Sequence, residues 1–189
     1  TSNISEALNK SDIIFICVGT PNKKNSLSVD LSYVFKAAKE ISKFSKNKKI
    51  IVTKSTVPVG TGDQIEKNLK NLKNFTVISN PEFLREGDAI RDFRYPDRIV
   101  VGSNSQYAFK IMKNLYAPLV NKGAKFFTTN RRGAELIKYA SNAFLATKIT
   151  FINEIANLCE KTDINVEDIS LGMGYDVRIG SRFLRAGPA

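Results

Sequence analysis

The chain has 189 residues, 42% of them apolar, and a formal charge of +11 from 29 basic and 18 acidic side chains. That length and apolar content suffice for a buried core, and no apolar run approaches a membrane span. Histidine is absent, which excludes Ser-His-Asp and Cys-His chemistry and makes a zinc site unexpected; proton transfer must fall to Asp, Glu, Lys, Tyr or Cys.

A helix-like piece, SEALNKS at 5–11, comes first. Residues 12–18, DIIFICV, form a continuous apolar run, the pattern of a strand buried on both faces. Cys17 inside that strand, and Cys159 inside a later helix pattern, read as buried, inert thiols. Val18, Gly19, Thr20 and Pro21 form the strand exit. Residues 31–44 carry Leu31, Val34, Phe35, Ala38 and Ile41 at helix spacing. KIIVTK at 49–54 is a second strand and opens into KSTVPVGTG at 54–62. There Ser55 and Thr56 offer hydroxyls, Pro58 stiffens the turn, and Gly60 and Gly62 permit close backbone approach. A helix is expected over 63–72, strands over 75–79 and 98–102, a helix over 107–116 and a short strand over 124–128. Alternating elements with short turns predict an α/β fold built on a parallel, doubly wound sheet.

The segment NPEFLREGDAI, 80–90, follows the third strand. Asn80 has the chemistry of a helix cap and Pro81 suits a first helical position; if a turn of helix forms there, Glu82 and Glu86 share one face. Two carboxylates there would stand where open α/β sheets bind their ligands. From 133 to 159 a long helix is expected, with an apolar stripe of Leu136, Ala140, Phe144, Thr147, Phe151, Ile155 and Leu158. Lys138 and Asn142 share one of its faces, and a lysine beside an amide suits a hydroxyl or a developing oxyanion. A short helix over 166–171 and a basic tail with Arg178 and Arg182 complete the chain. The lysines of 36–49 and 67–74 read as solvated helix faces, and no basic stripe interleaved with aromatics argues for nucleic acid. Two domains are expected, 1–129 and 130–189, the long helix of the second being suited to a dimer interface.

The strings VGTP, KSTVPVGT, SNPEFLREGDAI, PDRIVVG, ELIKYASNAFLATKI, FINEIANLCE and RIGSRFLRAG resemble, in order and over nearly the whole chain, the UDP-glucose 6-dehydrogenase branch of the UDP-glucose/GDP-mannose dehydrogenase family. The resemblance implies a Rossmann-like NAD-binding domain followed by a helical dimerisation and substrate domain. It implies a cytoplasmic homodimer joined through the 133–159 helix, with a UDP-sugar substrate and neither nucleic acid nor membrane as partner. The sugar C6 alcohol would be oxidised to a carboxylate in two hydride transfers to NAD, through a thiohemiacetal and a thioester. By family position Lys138 stabilises oxyanions, Asn142 orients the sugar hydroxyl and water, Glu82 manages the proton, and Thr56 positions water. Val18, Gly19, Thr20, Pro21, Thr56 and Glu86 fall on the NAD side. Glu82, Phe83, Leu84, Arg85, Lys138, Asn142 and Arg178 fall on the substrate, Arg178 reaching across the dimer. The family's GxGxxG turn would lie before Thr1 and its GGSCFPKD cysteine motif after Ala189. The chain is therefore expected to be an internal piece, inactive alone, in which neither Cys17 nor Cys159 is the nucleophile. Alternatives are another nucleotide-sugar dehydrogenase acting on GDP-mannose or UDP-N-acetyl-mannosamine, a β-hydroxyacid dehydrogenase, and a non-catalytic dimerisation or nucleic-acid-binding module.

Overall fold

The computed structural model describes residues 1–26, 28–45, 47–69 and 74–188. The chain forms two compact units, Thr1–Lys138 and a second beginning at Tyr139. Among the described residues no helix is long and apolar enough to cross a membrane.

The first unit runs α1 (Ile4–Asn9), β1 (Ile13–Ile16), α2 (Ser32–Phe44), β2 (Lys49–Thr53), α3 (Thr61–Asn68), β3 (Phe75–Ser79), α4 (Ala89–Arg94), β4 (Arg98–Gly102), α5 (Gln106–Leu115), α6 (Ala117–Val120) and β5 (Lys125–Thr129). The strands lie side by side in chain order. β1 with β2, β2 with β3, and β4 with β5 are parallel, as the alternating pattern predicts. β3 meets β4 antiparallel, through the single pairing of Ser79 with Gly102. The reversal follows from the intervening segment. α4 buries no side chain, so it supplies no packed crossover helix to bring β4 back in parallel.

Alternating side chains of the sheet feed two cores. Ile51 and Val77 pack with Val34, Ala38 and Ile41 of α2 and Ile65 of α3. Ile50, Val52, Ile78, Ile99 and Val101 pack with Ala108 and Met112 of α5 and with Tyr116. All five residues of β2 are buried, as its apolar run requires of a strand covered on both faces. β1 departs from that expectation. It is an edge strand of four residues, Phe15 is 37% exposed, and Cys17, just past its end, is exposed rather than buried.

The turn of helix that Asn80 and Pro81 could open does not form. Residues 80–85 have no regular structure, a turn follows, and α4 begins only at Ala89. Asn80 is fully buried and spends its amide on tertiary bonds, donating from Nδ2 to the Val100 carbonyl at 2.7 Å and accepting at Oδ1 from the Tyr116 hydroxyl at 2.6 Å. A side chain so engaged cannot cap a helix, and Glu82 and Glu86 therefore share no helical face. On α2, Lys36, Lys39 and Lys43 are exposed as expected, but Lys49, read as part of a solvated helix face, opens β2 and is buried. The expected end of α3 at 72 and the lysines Lys70 and Lys73 lie outside the described residues.

α7 (Arg131–Thr162) begins in the first unit, where the Asn130 side chain accepts from the Gly133 N–H at 2.7 Å and caps it. It continues without Pro or further Gly. In the second unit Ile152, Cys159 and Leu184 are buried. Asn153 and Gly187 exchange two hydrogen bonds, at 3.0 and 2.8 Å. α8 (Val166–Gly174) is capped by Asn165. The apolar stripe read from the sequence faces outward: Phe144, Phe151 and Leu158 are 65%, 46% and 57% exposed.

α7 can press against the end of β4 because residue 102 is glycine. A Cβ there would stand 2.6 Å from the Ala134 Cβ, 2.7 Å from the Asn130 carbonyl oxygen and 2.9 Å from the Arg131 Cα. Two of those atoms are backbone, so Gly102→Ala is expected to cost about 1–3 kcal/mol. A Cβ at Gly19 meets nothing within 4 Å, so Gly19→Ala should stay within about 0.5 kcal/mol. Urea unfolding of the two variants checks the contrast.

Candidate active site

The carboxyl ends of β1, β2 and β3 converge on one edge of the sheet. The Lys54 N–H donates to the Ile16 carbonyl at 2.9 Å, and the Ser55 hydroxyl to the Val18 carbonyl at 2.6 Å. The Thr20 hydroxyl donates to the Thr56 carbonyl at 3.0 Å, and the Asn80 N–H to the Thr53 carbonyl at 2.9 Å. Strand exits 17–21, 54–56 and 80–82 are thus laced together at the edge where parallel strands deliver ligand-binding groups.

Lys138 enters this edge from α7. Its side chain is 7% exposed, and Nζ lies 2.9 Å from Glu82 Oε1 and 5.4 Å from the centre of the Phe83 ring. Thr56 Oγ1 donates to the same Glu82 oxygen at 3.4 Å, and the Leu84 N–H donates to Oε2 at 2.6 Å. Burial works to raise the Glu82 pKa, but the Leu84 N–H, Lys138 and Lys54 together hold it below the ordinary carboxylate range. A carboxyl held low in the folded state contributes stability above its unfolded pKa and loses it as pH falls through the folded value. At neutral pH Glu82 is therefore a carboxylate, in contact with the Lys138 Nζ. The arrangement can accept a proton at Glu82 and present positive charge at Lys138.

The other expected site residues are placed as follows. Phe83 stacks under the Arg98 guanidinium at 4.0 Å. Leu84 is 37% exposed. Arg85 is bound within its own loop, to Asp92 at 2.6 Å and Asp88 at 2.9 Å, and Asp92 first of all raises its pKa above the ordinary value. Glu86 is exposed on the turn at Gly87. Val18, Gly19, Thr20 and Pro21 border the strand exits, with open space where a Gly19 side chain would point. Asn142 and Arg178 belong to the second unit. Asn142 is exposed, and Arg178 is 87% exposed and bound to Asp176 at 2.6 Å. The structure thus brings Thr56, Glu82 and Lys138 together in the first unit.

Sequence reasoning passed over Glu135. It is 2% exposed, and its carboxylate accepts from the Gly60 N–H at 2.6 Å, the Gly62 N–H at 2.9 Å and the Ser79 hydroxyl at 2.9 Å. The first two donors open α3, where the helix dipole favours negative charge. The close backbone approach foreseen at Gly60 and Gly62 is real, and its partner is this internal carboxylate. A Cβ at Gly62 would lie 3.0 Å from Glu135 Oε1 and 2.9 Å from the Ser79 hydroxyl. One turn earlier, Arg131 bonds Asp63 at 2.8 Å and Glu66 at 2.6 Å. Despite its burial, those two carboxylates hold the guanidinium above its ordinary pKa. The available signal was the spacing of Arg131, Glu135 and Lys138 on one helical face.

Glu135→Gln puts an amide N–H₂ against a donor, and should cost about 1–3 kcal/mol in urea unfolding. Lys138→Met removes a charge that favours the Glu82 carboxylate. The Glu82 pKa is therefore expected to rise, as followed by carboxyl ¹³C NMR; no movement would mean that the pair is not formed in solution.

Residues 1–120 match the NAD binding domain of the UDP-glucose/GDP-mannose dehydrogenase family, and residues 132–189 match its central domain. The chain is 53% identical to a UDP-glucose 6-dehydrogenase of Rhizobium meliloti, over 100% of its own length and 44% of that relative. It is similar to the structure of a UDP-glucose dehydrogenase from the archaeon Pyrobaculum islandicum, with a TM-score of 0.91 and 37% identity over 99% of the chain and 44% of that protein. A GDP-mannose dehydrogenase from Pseudomonas aeruginosa follows, with a TM-score of 0.86 and 30% identity over 100% of the chain and 45% of that protein. The chain therefore spans under half the length of the relatives it matches. With both of its halves matched, the chain belongs to the UDP-glucose/GDP-mannose dehydrogenase family.

Proposed function

We propose that the chain forms the catalytic edge of a cytoplasmic, NAD-dependent enzyme that oxidises the C6 alcohol of UDP-glucose to the carboxylate. The observation that carries this reading is the contact between Glu82 and Lys138 at 2.9 Å, joined by Thr56, at the carboxyl edge of the sheet. Glu82, ionised at neutral pH, takes the proton of the sugar hydroxyl. Lys138 offers its ammonium to the oxygen on which negative charge develops. Thr56 holds water beside Glu82 for the hydrolytic stage, and Asn142 orients the sugar hydroxyl. Phe83, Leu84 and Arg85 line the substrate through their backbone, and Arg178 reaches it from the partner subunit.

The Val18–Gly19–Thr20–Pro21 loop suits a flat cofactor, because the space at Gly19 is open and the Thr20 hydroxyl is tied back to the Thr56 carbonyl. NAD, when bound, supplies the ring that accepts the hydride. Thr56 and Glu86 complete that side. The N–H groups opening α3 are taken by Glu135, so the cofactor's phosphates belong elsewhere. In this reading residues 1–129 serve the cofactor and residues 130–189 the substrate and a homodimer, which the outward Phe144, Phe151 and Leu158 support. Neither Cys17 nor Cys159 is assigned as the nucleophile, and nucleic acid has no part.

The test is turnover by the full-length protein. UDP-glucose is expected to yield UDP-glucuronate with NADH formation, in clear preference to GDP-mannose and UDP-N-acetyl-mannosamine. Preferred oxidation of either of those sugars would move the assignment within the family, and oxidation of none would overturn it.

A further inference from the structure

Phe83 serves the substrate above through its backbone alone, and its ring is given no part. That ring meets two cations. The Arg98 guanidinium lies over it at 4.0 Å from its centre and the Lys138 Nζ at 5.4 Å, both within the reach at which an aromatic ring attracts a cation. Arg98 is the first residue of β4, so the ring is held against the start of a strand. The segment that carries it is tightly turned. The Glu82 carboxylate folds back on its own backbone to accept from the Leu84 N–H at 2.6 Å, and carboxylate and ring reach Lys138 from adjacent residues. Lys138, its side chain 7% exposed, is met by both Glu82 Oε1 at 2.9 Å and the ring. These two groups differ in kind. A carboxylate that takes a proton loses its charge and most of its hold on an ammonium, whereas a phenyl ring takes no proton and keeps its attraction.

We propose that the Phe83 side chain is a positioning residue of this site: its ring holds the Lys138 ammonium at the sheet edge while Glu82 carries the proton taken from the substrate. The inference rests on the function proposed above. In that reading Glu82 is neutral once the proton has moved, which is when the reacting oxygen bears charge and Lys138 must be in place to meet it. The ionic part of the 2.9 Å contact is then lost. The attraction of the ring persists, and it is stronger around a nearly buried ammonium than it would be in water. Arg98, stacked on the same ring, fixes where that attraction is presented.

Phenylalanines bearing one, two and three ring fluorines, placed at position 83 of the full-length enzyme, test this. Each fluorine withdraws electron density from the ring face and leaves the apolar shape nearly unchanged. kcat with UDP-glucose is expected to fall in steps along the series, by about three- to tenfold at the third fluorine, with little change in KM. A ring that served packing alone would leave kcat level. A level kcat, or a loss confined to KM, would overturn the proposal. A second measurement needs neither turnover nor a substitution at Phe83. In the full-length protein with its lysines ¹³C-labelled at Cε, the Lys138 ε protons, assigned by their absence in Lys138→Met, should resonate upfield of the other lysines because of the ring current. An ordinary position for that signal would also overturn the proposal. If the wild-type enzyme oxidises no nucleotide sugar, the functional reading fails, while the Lys138 signal still decides whether the ring holds the ammonium.

Discussion

The buried carboxylate of Glu135 is the constraint on which the rest of the site depends. It reaches from α7 into the opening of α3 and binds donors from two segments, the 60–62 turn and the end of β3. Leaving those donors without an acceptor would cost each its hydration with nothing in return. The position of α7 against the sheet is therefore set by polar satisfaction as much as by apolar packing. Lys138 stands one helical turn beyond Glu135, so whatever fixes the carboxylate also fixes the ammonium. At Gly102 a Cβ would press on the backbone of α7, and at Gly62 it would crowd the Ser79 hydroxyl and the Glu135 and Arg131 side chains.

The same face of α7 carries an ordered set of charges. Arg131 is matched by Asp63 and Glu66, Glu135 by backbone N–H groups, and Lys138 by Glu82. Each of the three is nearly buried, and a buried charge persists only when paired or hydrogen-bonded. The first two hold the helix; the third faces the open edge of the sheet. That division places two structural anchors and the lysine paired with Glu82 within eight residues of sequence.

Much of the fold was legible because its signals are local. β2, β3 and β4 are short apolar runs between turn residues, and their positions match the sequence reading closely. What escaped was set by tertiary partners. Asn80 and Pro81 form a good helix start in isolation, but the Asn80 amide is claimed by Val100, Tyr116 and Lys54, and no local rule reports that claim. The antiparallel entry of β4 is equally non-local, because it depends on α4 failing to pack. Cys17 looked buried within an apolar run, yet β1 is an edge strand and ends one residue earlier. At the sheet edge Glu82, Thr56 and Lys138 lie together, each named from the sequence only through the family resemblance. Glu135 did not stand out, because a glutamate on a helix ordinarily faces water. The outward stripe of α7 has the opposite lesson: helical periodicity identifies an apolar face without saying which surface covers it.

The central claim is that Lys138 stabilises charge on the reacting oxygen and is not merely a structural partner of Glu82. Steady-state kinetics of Lys138→Met in the full-length enzyme, with UDP-glucose varied at saturating NAD, tests it most directly. A fall in kcat of about 10²–10³-fold, with a much smaller change in KM, is the predicted result. An unchanged kcat in a folded variant, or a loss confined to KM, would contradict the account.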